Sequence, residues 1–255
     1  VFETELGIDF PVFLDDHRIF EAAILPGTAY LEMALAAAGL AFAGQTVSLA
    51  NVTIREPLLL PDEGHKVVQV VVGAPEAGKA SFEIYSLVEG ANGAQDSWPQ
   101  HASGSIFLGP LSSQPPVGAL DLAQLKTSCP QIIDAPGFYQ QLAEMGIAYG
   151  PAFRGISQLW QGTDQALGLV ILPASHAQEC QHYQLHPALL DACIQVLGSA
   201  APAFARENGD KVYVPVGLQG LSLYQSGASQ VWAHAQFTSP LTNPDGSLRD
   251  ALQGD

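Results

Sequence analysis

Apolar residues occupy one parity at the amino end of the chain. Phe2, Leu6, Ile8, Phe10 and Val12 alternate with polar positions, so residues 1–13 predict a strand. The period changes after Pro26-Gly27. From Ala29 to Leu40 the residues are helix formers, and Leu31, Met33, Ala34, Leu35 and Ala38 leave Glu32 as the one charge. A helix apolar nearly all round is predicted to be buried on every side. Pro26-Gly27 starts it sharply, and Thr28 is its expected N-cap. Alternation returns in 47–60, 66–73, 80–88 and 100–108, which predict a run of antiparallel strands.

Residues 109–136 are rich in Pro, Ser and Gly and predict a connecting segment with a short helix near Leu120–Leu125. The theme then repeats. A short helix is predicted over 137–145, and a Gly-punctuated loop runs from Gly146 into a strand. A second strand covers 165–172. His186-Pro187 opens another apolar helix through about Ala200, followed by strands at 212–216, 218–224 and 230–238. The chain thus divides into 1–108, a linker at 109–136, and 137–255. Each half has one buried helix, opened by a proline turn and followed by strands. A sheet wrapped around a single helix is an α+β unit. The halves share pattern and little residue identity.

Composition narrows the partners. A chain of 255 residues carries a formal charge of −16, which argues against nucleic acid or an anionic membrane as partner. There is no apolar run of transmembrane length and no amino-terminal signal pattern. Three cysteines, Cys129, Cys180 and Cys193, form an odd set without CxxC spacing, which points to a reduced, cytoplasmic compartment.

Three places hold candidate chemistry. His17 follows Asp15-Asp16 and precedes the buried helix, where free N–H groups and the positive helix end lie close by. Ile19, Phe20, Ile24 and Leu25 are its expected walls, and a neutral imidazole in such a cavity is a competent general base. A lone histidine is more often a hydrogen-bonding residue near a strand end. Asp191 lies about a turn inside the second helix among Leu189, Leu190, Ala192, Cys193 and Ile194. It reads either as a first-turn aspartate answering the helix dipole or as an acid whose pKa burial raises, able to hold and deliver a proton. Gln195, four residues on, shares its helical face and can orient the carboxyl. Tyr149-Gly150-Pro151 reads as a turn by default. Its Tyr hydroxyl and Gly N–H could also reach a substrate carbonyl or hydroxyl. His17/Glu21 and His182/His186 have i,i+4 spacing, but proline interrupts the context of each, so a metal site is not expected.

These residues together resemble a known family. His17, then Pro26-Gly27 and Tyr30-Leu31-Glu32, resembles the histidine motif of dehydratase domains from modular polyketide synthases. Gly146–Gly155 (GIAYGPAFRG) resembles the second signature of that family. His186-Pro187-Ala188-Leu189-Leu190-Asp191 with Gln195 resembles its aspartate motif, and Val214-Pro215-Val216-Gly217 a weaker fourth element. The order and spacing are the family's and span most of the chain. The resemblance implies a double hotdog fold, two helix-in-sheet units side by side. It also implies loss of water from a β-hydroxyacyl chain on the phosphopantetheine arm of an acyl carrier protein, giving a usually trans α,β-unsaturated thioester. His17 would take the α-proton and Asp191 would protonate the leaving hydroxyl. Gln195 would orient Asp191, and Tyr149, Gly150 and Pro151 would line the pocket. Gly27 N–H would face the thioester oxygen, where charge develops. No bound cofactor is implied. The implied partners are the carrier protein, neighbouring synthase domains and a second copy of the chain.

The sequence departs from the family twice. Glu21 stands where the family has glycine, and a carboxylate there is expected to tune His17 or reshape substrate binding. The chain also stops at Asp255 where the family continues into further strands, so the second sheet is expected to be incomplete at its edge. Glu21 keeps open a double-bond isomerase or a cyclase adding a hydroxyl to the enoyl thioester. A non-catalytic module is a different reading, against which the presence of both His17 and Asp191 counts. A hotdog thioesterase would need a group placed to attack the carbonyl, unlike a His/Asp pair divided between halves.

Overall fold

The computed structural model describes residues 1–90, 95–111, 121–200, 213–239 and 253–255. Strand β1 (Phe2–Leu6) is shorter than the alternation predicts. The chain turns at Gly7–Phe10 and a 3-10 turn at Val12–Asp16 follows. Two short strands, β2 (His17–Ile19) and β3 (Ala22–Ala23), then form a hairpin that the periodicity did not show. Helix α1 runs from Gly27 to Ala41. Strands β4 (Val47–Ile54), β5 (Lys66–Val72), β6 (Lys79–Ser86) and β7 (Gln100–Leu108) complete the first half. Proline at 57 stops β4 short of its predicted end, since proline cannot donate to a ladder.

The segment expected to be a linker carries structure. Asp121 caps α2 (Leu122–Ser128) by accepting from Ala123 N at 2.9 Å and Gln124 N at 3.2 Å. The Lys126 ammonium docks it, 4.4 Å from the Trp160 ring and 4.8 Å from Trp232. Strand β8 (Gln131–Ile133) and helix α3 (Ala135–Glu144), capped by Asp134, follow directly. Then come β9 (Ile147–Tyr149), a 3-10 turn at Pro151–Phe153, β10 (Ile156–Gln161) and β11 (Gln165–Ile171). After them lie α4 (Ala174–Ala177), α5 (Pro187–Ser199), β12 (Gly217–Ser222) and β13 (Gln230–Gln236). Residues 213–216 form no strand, and position 212 of that expected strand lies outside the described residues.

The strands make a six-stranded sheet, β1-β5-β6-β7-β4-β12, a four-stranded sheet, β13-β11-β10-β8, and a small sheet, β3-β2-β9. The architecture is the double hotdog: α1 lies on the first large sheet and α5 on the second. Three connections cross the division read from the sequence. β8 of the expected linker pairs with β10, and β12 from the second half pairs with β4 of the first. β2 pairs with β9, setting His17 opposite Tyr149. One apolar core runs through both halves, with Leu49, Phe82 and Ile106 on one side and Val170, Leu189 and Val196 on the other.

The two central helices are held to each other by polar groups. Thr28 does not cap α1; Pro26 occupies the N-cap, and no side chain bonds there. The Thr28 hydroxyl instead donates to Pro187 O at 2.9 Å, tying the start of α1 to the start of α5. One turn on, the buried Glu32 carboxylate accepts from Gln184 N and Leu185 N, each at 2.8 Å. Burial pushes the Glu32 pKa up from 4.5 to about 7, against the two N–H groups that favour the anion. The native state therefore holds this proton more tightly than the unfolded chain does. The stabilisation is complete below about pH 4.5 and is lost as pH rises through 7, about 3 kcal/mol in all. Glu32→Gln removes the titration. Urea unfolding from pH 4.5 to 8 is expected to show wild-type stability falling relative to the variant across that window.

Candidate active site

His17 sits on β2, where its geometry is set by a two-residue turn. Phe20 and Glu21 both have positive φ, 48° and 69°, as a tight hairpin requires. The Arg18 guanidinium braces the turn, donating to Glu21 O at 2.7 Å and pairing with Asp15. The His17 ring is buried, and Nδ1 lies 2.8 Å from Ile24 O. A carbonyl only accepts, so Nδ1 carries the proton and the Nε2 lone pair is left for chemistry. The ring's neighbours differ from those expected. Phe20 is 71% exposed and forms no wall. Phe153 and Tyr149 do, with ring centroids 5.0 and 5.5 Å away.

The Glu21 departure is a backbone matter. Its side chain is exposed and makes no ion pair or hydrogen bond with any described residue. The left-handed φ is what glycine would relieve at this position. Glu21→Gly is expected to raise stability by about 1 kcal/mol and to leave turnover unchanged. Thermal unfolding beside a turnover assay checks both.

Asp16 ties this turn to the GIAYGPAFRG segment. Its carboxylate accepts from Ala152 N and its carbonyl from Gly150 N, both at 2.7 Å. The Gly150 N–H, expected to be free for a substrate, is therefore already committed. The glycine serves close approach, because a Cβ there would come within 2.1 Å of Asp16 Oδ1. Pro151 is exposed and opens the 3-10 turn that delivers Phe153 inward. Gly27 is the first residue of α1, so its N–H has no acceptor within the helix. A Cβ on Gly27 would press on Ile54 at 3.0 Å.

Asp191 is the fifth residue of α5, beyond the first turn, and is buried. Gln195 Nε2 donates to its Oδ2 at 2.8 Å and also to Phe153 O at 3.0 Å. The Tyr149 hydroxyl lies near enough to the carboxyl to favour its anion. Burial raises the Asp191 pKa. His17, Gln195 and Tyr149 oppose the rise, so His17 and Asp191 are close enough to act on each other. The helix is drawn tight to its sheet, since a Cβ on Gly168 would stand 2.5 Å from Val196. His186 caps α5, accepting from Ala188 N at Nδ1, and burial lowers its pKa to about 4, so it stays neutral. His182 is exposed. Among the described residues no group of three His, Cys, Asp or Glu is arranged to hold a metal.

Tyr139 was not singled out from the sequence. It is buried on α3, donates to Gln195 Oε1 at 3.0 Å and accepts from Ile156 N at 3.0 Å. Nothing in its local sequence marks it, because a tyrosine in an amphipathic helix reads as ordinary core.

A buried imidazole with Nδ1 committed to a carbonyl and a buried carboxyl of raised pKa thus come from the two halves of the double hotdog. Comparison with known proteins agrees with the class of protein this defines. Residues 1–87 match the family model of the polyketide synthase dehydratase domain, and 117–249 that of the polyketide synthase dehydratase N-terminal domain. The dehydratase domain from the CurF module of the curacin polyketide synthase is similar in structure, with TM-score 0.85 and 34% identity. The match covers 99% of this chain and 90% of that one. The CurK module's dehydratase gives 0.83 and 37%, covering 99% and 87%. Among curated proteins, mycoketide-CoA synthase of Mycobacterium tuberculosis is 35% identical over 229 residues, 89% of this chain. Spectinabilin polyketide synthase system protein NorA of Streptomyces orinoci is 34% identical over 247 residues, 94% of this chain. The matches span only 5% and 12% of those two proteins. The chain belongs to the polyketide synthase dehydratase family, whose members are hydro-lyases. No described helix is long and apolar enough to cross a membrane.

Proposed function

We propose that this domain removes water from a β-hydroxyacyl thioester held on the phosphopantetheine arm of an acyl carrier protein. His17 is the general base and Asp191 the general acid. His17 Nε2 takes the α-proton, and the electrons of that C–H bond form the Cα=Cβ double bond. The Cβ–O bond breaks as the hydroxyl takes the proton of Asp191 and leaves as water. His17 ends protonated and Asp191 ionised, and one proton returned through solvent resets the pair. The thioester oxygen gains charge as the α-proton leaves, and the Gly27 N–H at the positive end of α1 suits it. Tyr149, near both His17 and Asp191, is suited to line the substrate's path. The product is an α,β-unsaturated thioester.

The observation that carries this reading is the pairing of a histidine whose Nδ1 is committed with a buried acid whose pKa burial raises. Inactive forms of the CurK dehydratase, solved as crystal structures, carry a histidine replaced by phenylalanine or an aspartate replaced by asparagine. The exposed Glu21 lends no support to a double-bond isomerase or a cyclase. With a net charge of −16, the domain offers no attraction to an acidic carrier protein. Docking is weak and relies on tethering.

Mass spectrometry of a β-hydroxyacyl carrier protein incubated with the domain tests the reading. Loss of one water from the acyl group is the expected result. Release of free acid, or a product of unchanged mass that differs on chromatography, would replace it with thioesterase or isomerase chemistry.

A further inference from the structure

We infer that Tyr139 is a positioning residue for the acid, acting on Asp191 through Gln195. The inference rests on the dehydratase reading above. The hydrogen bonds run in one direction. Ile156 N is an amide and can only donate, so it fills the acceptor side of the Tyr139 hydroxyl at 3.0 Å. The Tyr139 proton must then go to Gln195 Oε1, at 3.0 Å. With its oxygen held, Gln195 turns its NH2 toward Phe153 O and Asp191 Oδ2. Phe153 O enforces the same choice, because it cannot accept from an amide oxygen. An NH2 on Oδ2 calls for an acceptor there, which leaves Oδ1 to carry the acidic proton of Asp191. A backbone amide in β10 thereby fixes which oxygen of a carboxyl on α5 delivers the proton. Tyr139 and Gln195 are both buried, so no bulk water competes for these bonds.

Tyr139→Phe keeps the ring and removes the relay. Gln195 is then free to turn, and the anion of Asp191 loses a well-oriented donor. The groups facing Asp191 are His17 from β2, Tyr149 from β9, Tyr139 from α3, and Gln195 and Cys193 from α5; Arg154 lies near Tyr139. Burial holds both phenols well above the ordinary range and the Cys193 thiol at about 12, so none of the three ionises near neutral pH. The alkaline limb of the kcat profile therefore reports Asp191.

The test is steady-state kinetics of water loss against pH for the parent and Tyr139→Phe, with KM measured separately. The expected result is a kcat roughly 10-fold lower, as for losing one hydrogen bond of about 1.4 kcal/mol. KM stays unchanged, and the alkaline limb moves to higher pH. In a Gln195→Ala background, Tyr139→Phe should have little further effect. A lower melting temperature with the parent's pH limb, or effects of the two substitutions that multiply, would overturn the inference and leave Tyr139 as core. Should Tyr139→Phe fold poorly, 3-fluorotyrosine at position 139 retains the shape and strengthens the donor. It is expected to move the limb to lower pH, and no movement overturns the inference equally. A parent enzyme that removes no water would instead overturn the dehydratase reading itself.

Discussion

Asp191→Asn is expected to reduce water loss by roughly 10²- to 10⁴-fold, the usual contribution of a positioned general acid. The variant keeps the volume and a carbonyl oxygen for Gln195 Nε2, so α5 has no reason to move. What disappears is a transferable proton. Single-turnover dehydration followed by mass spectrometry measures the loss, with retention of full activity excluding Asp191 as the acid. A second consequence concerns stability. Burial raises the Asp191 pKa, so the native state prefers the protonated form. The stabilisation from that preference is present below the unfolded carboxylate's pKa and fades as pH rises through the folded one. Asparagine does not ionise. The melting temperature of the variant is therefore expected to gain on that of the wild type as the pH is raised.

His17→Ala is expected to lower the rate by a similar factor, again roughly 10²- to 10⁴-fold, through loss of the base. The structural cost is modest. Ile24 O loses the Nδ1 donor, and a void opens beside Phe153 and Tyr149, together worth about 2 kcal/mol. The hairpin keeps its ladder, including Ile24 N to His17 O at 3.1 Å. The void has the shape of the missing ring and a carbonyl ready to accept a proton donor. Added imidazole is therefore expected to restore part of the rate. A folded variant with undiminished dehydration would remove His17 from the chemistry.

Much of this molecule is legible along the chain, for reasons that differ by element. The apolar run after Pro26-Gly27 can satisfy its backbone only as a helix and its side chains only by burial, and it becomes α1. The valine-rich alternation of 66–73 becomes β5. Asp191 and Gln195 are four apart on one helix, so their contact follows from helical geometry alone. The β2–β3 hairpin has no such signal, because its two-residue turn is made of Phe and Glu, not the Asn-Gly or Asp-Gly that announce such turns.

By itself, then, the sequence determined the two buried helices, most of the strands around them, and the residues able to carry acid and base. Periodicity and spacing record whether a side chain is buried and what it meets within a turn or two. They carry no record of which distant segment lies opposite. That was decided by the tertiary structure alone, which sets Tyr149 beside His17, Pro187 on Thr28, Leu185 on Glu32, β12 against β4 and Tyr139 on Gln195. Each of these joins residues tens to more than a hundred positions apart. Each is selected by the packing of the two halves and by the need of buried polar groups for partners. Helix α5 supplies Asp191 and buries it, and bonds from distant segments hold its neighbour Gln195 in place.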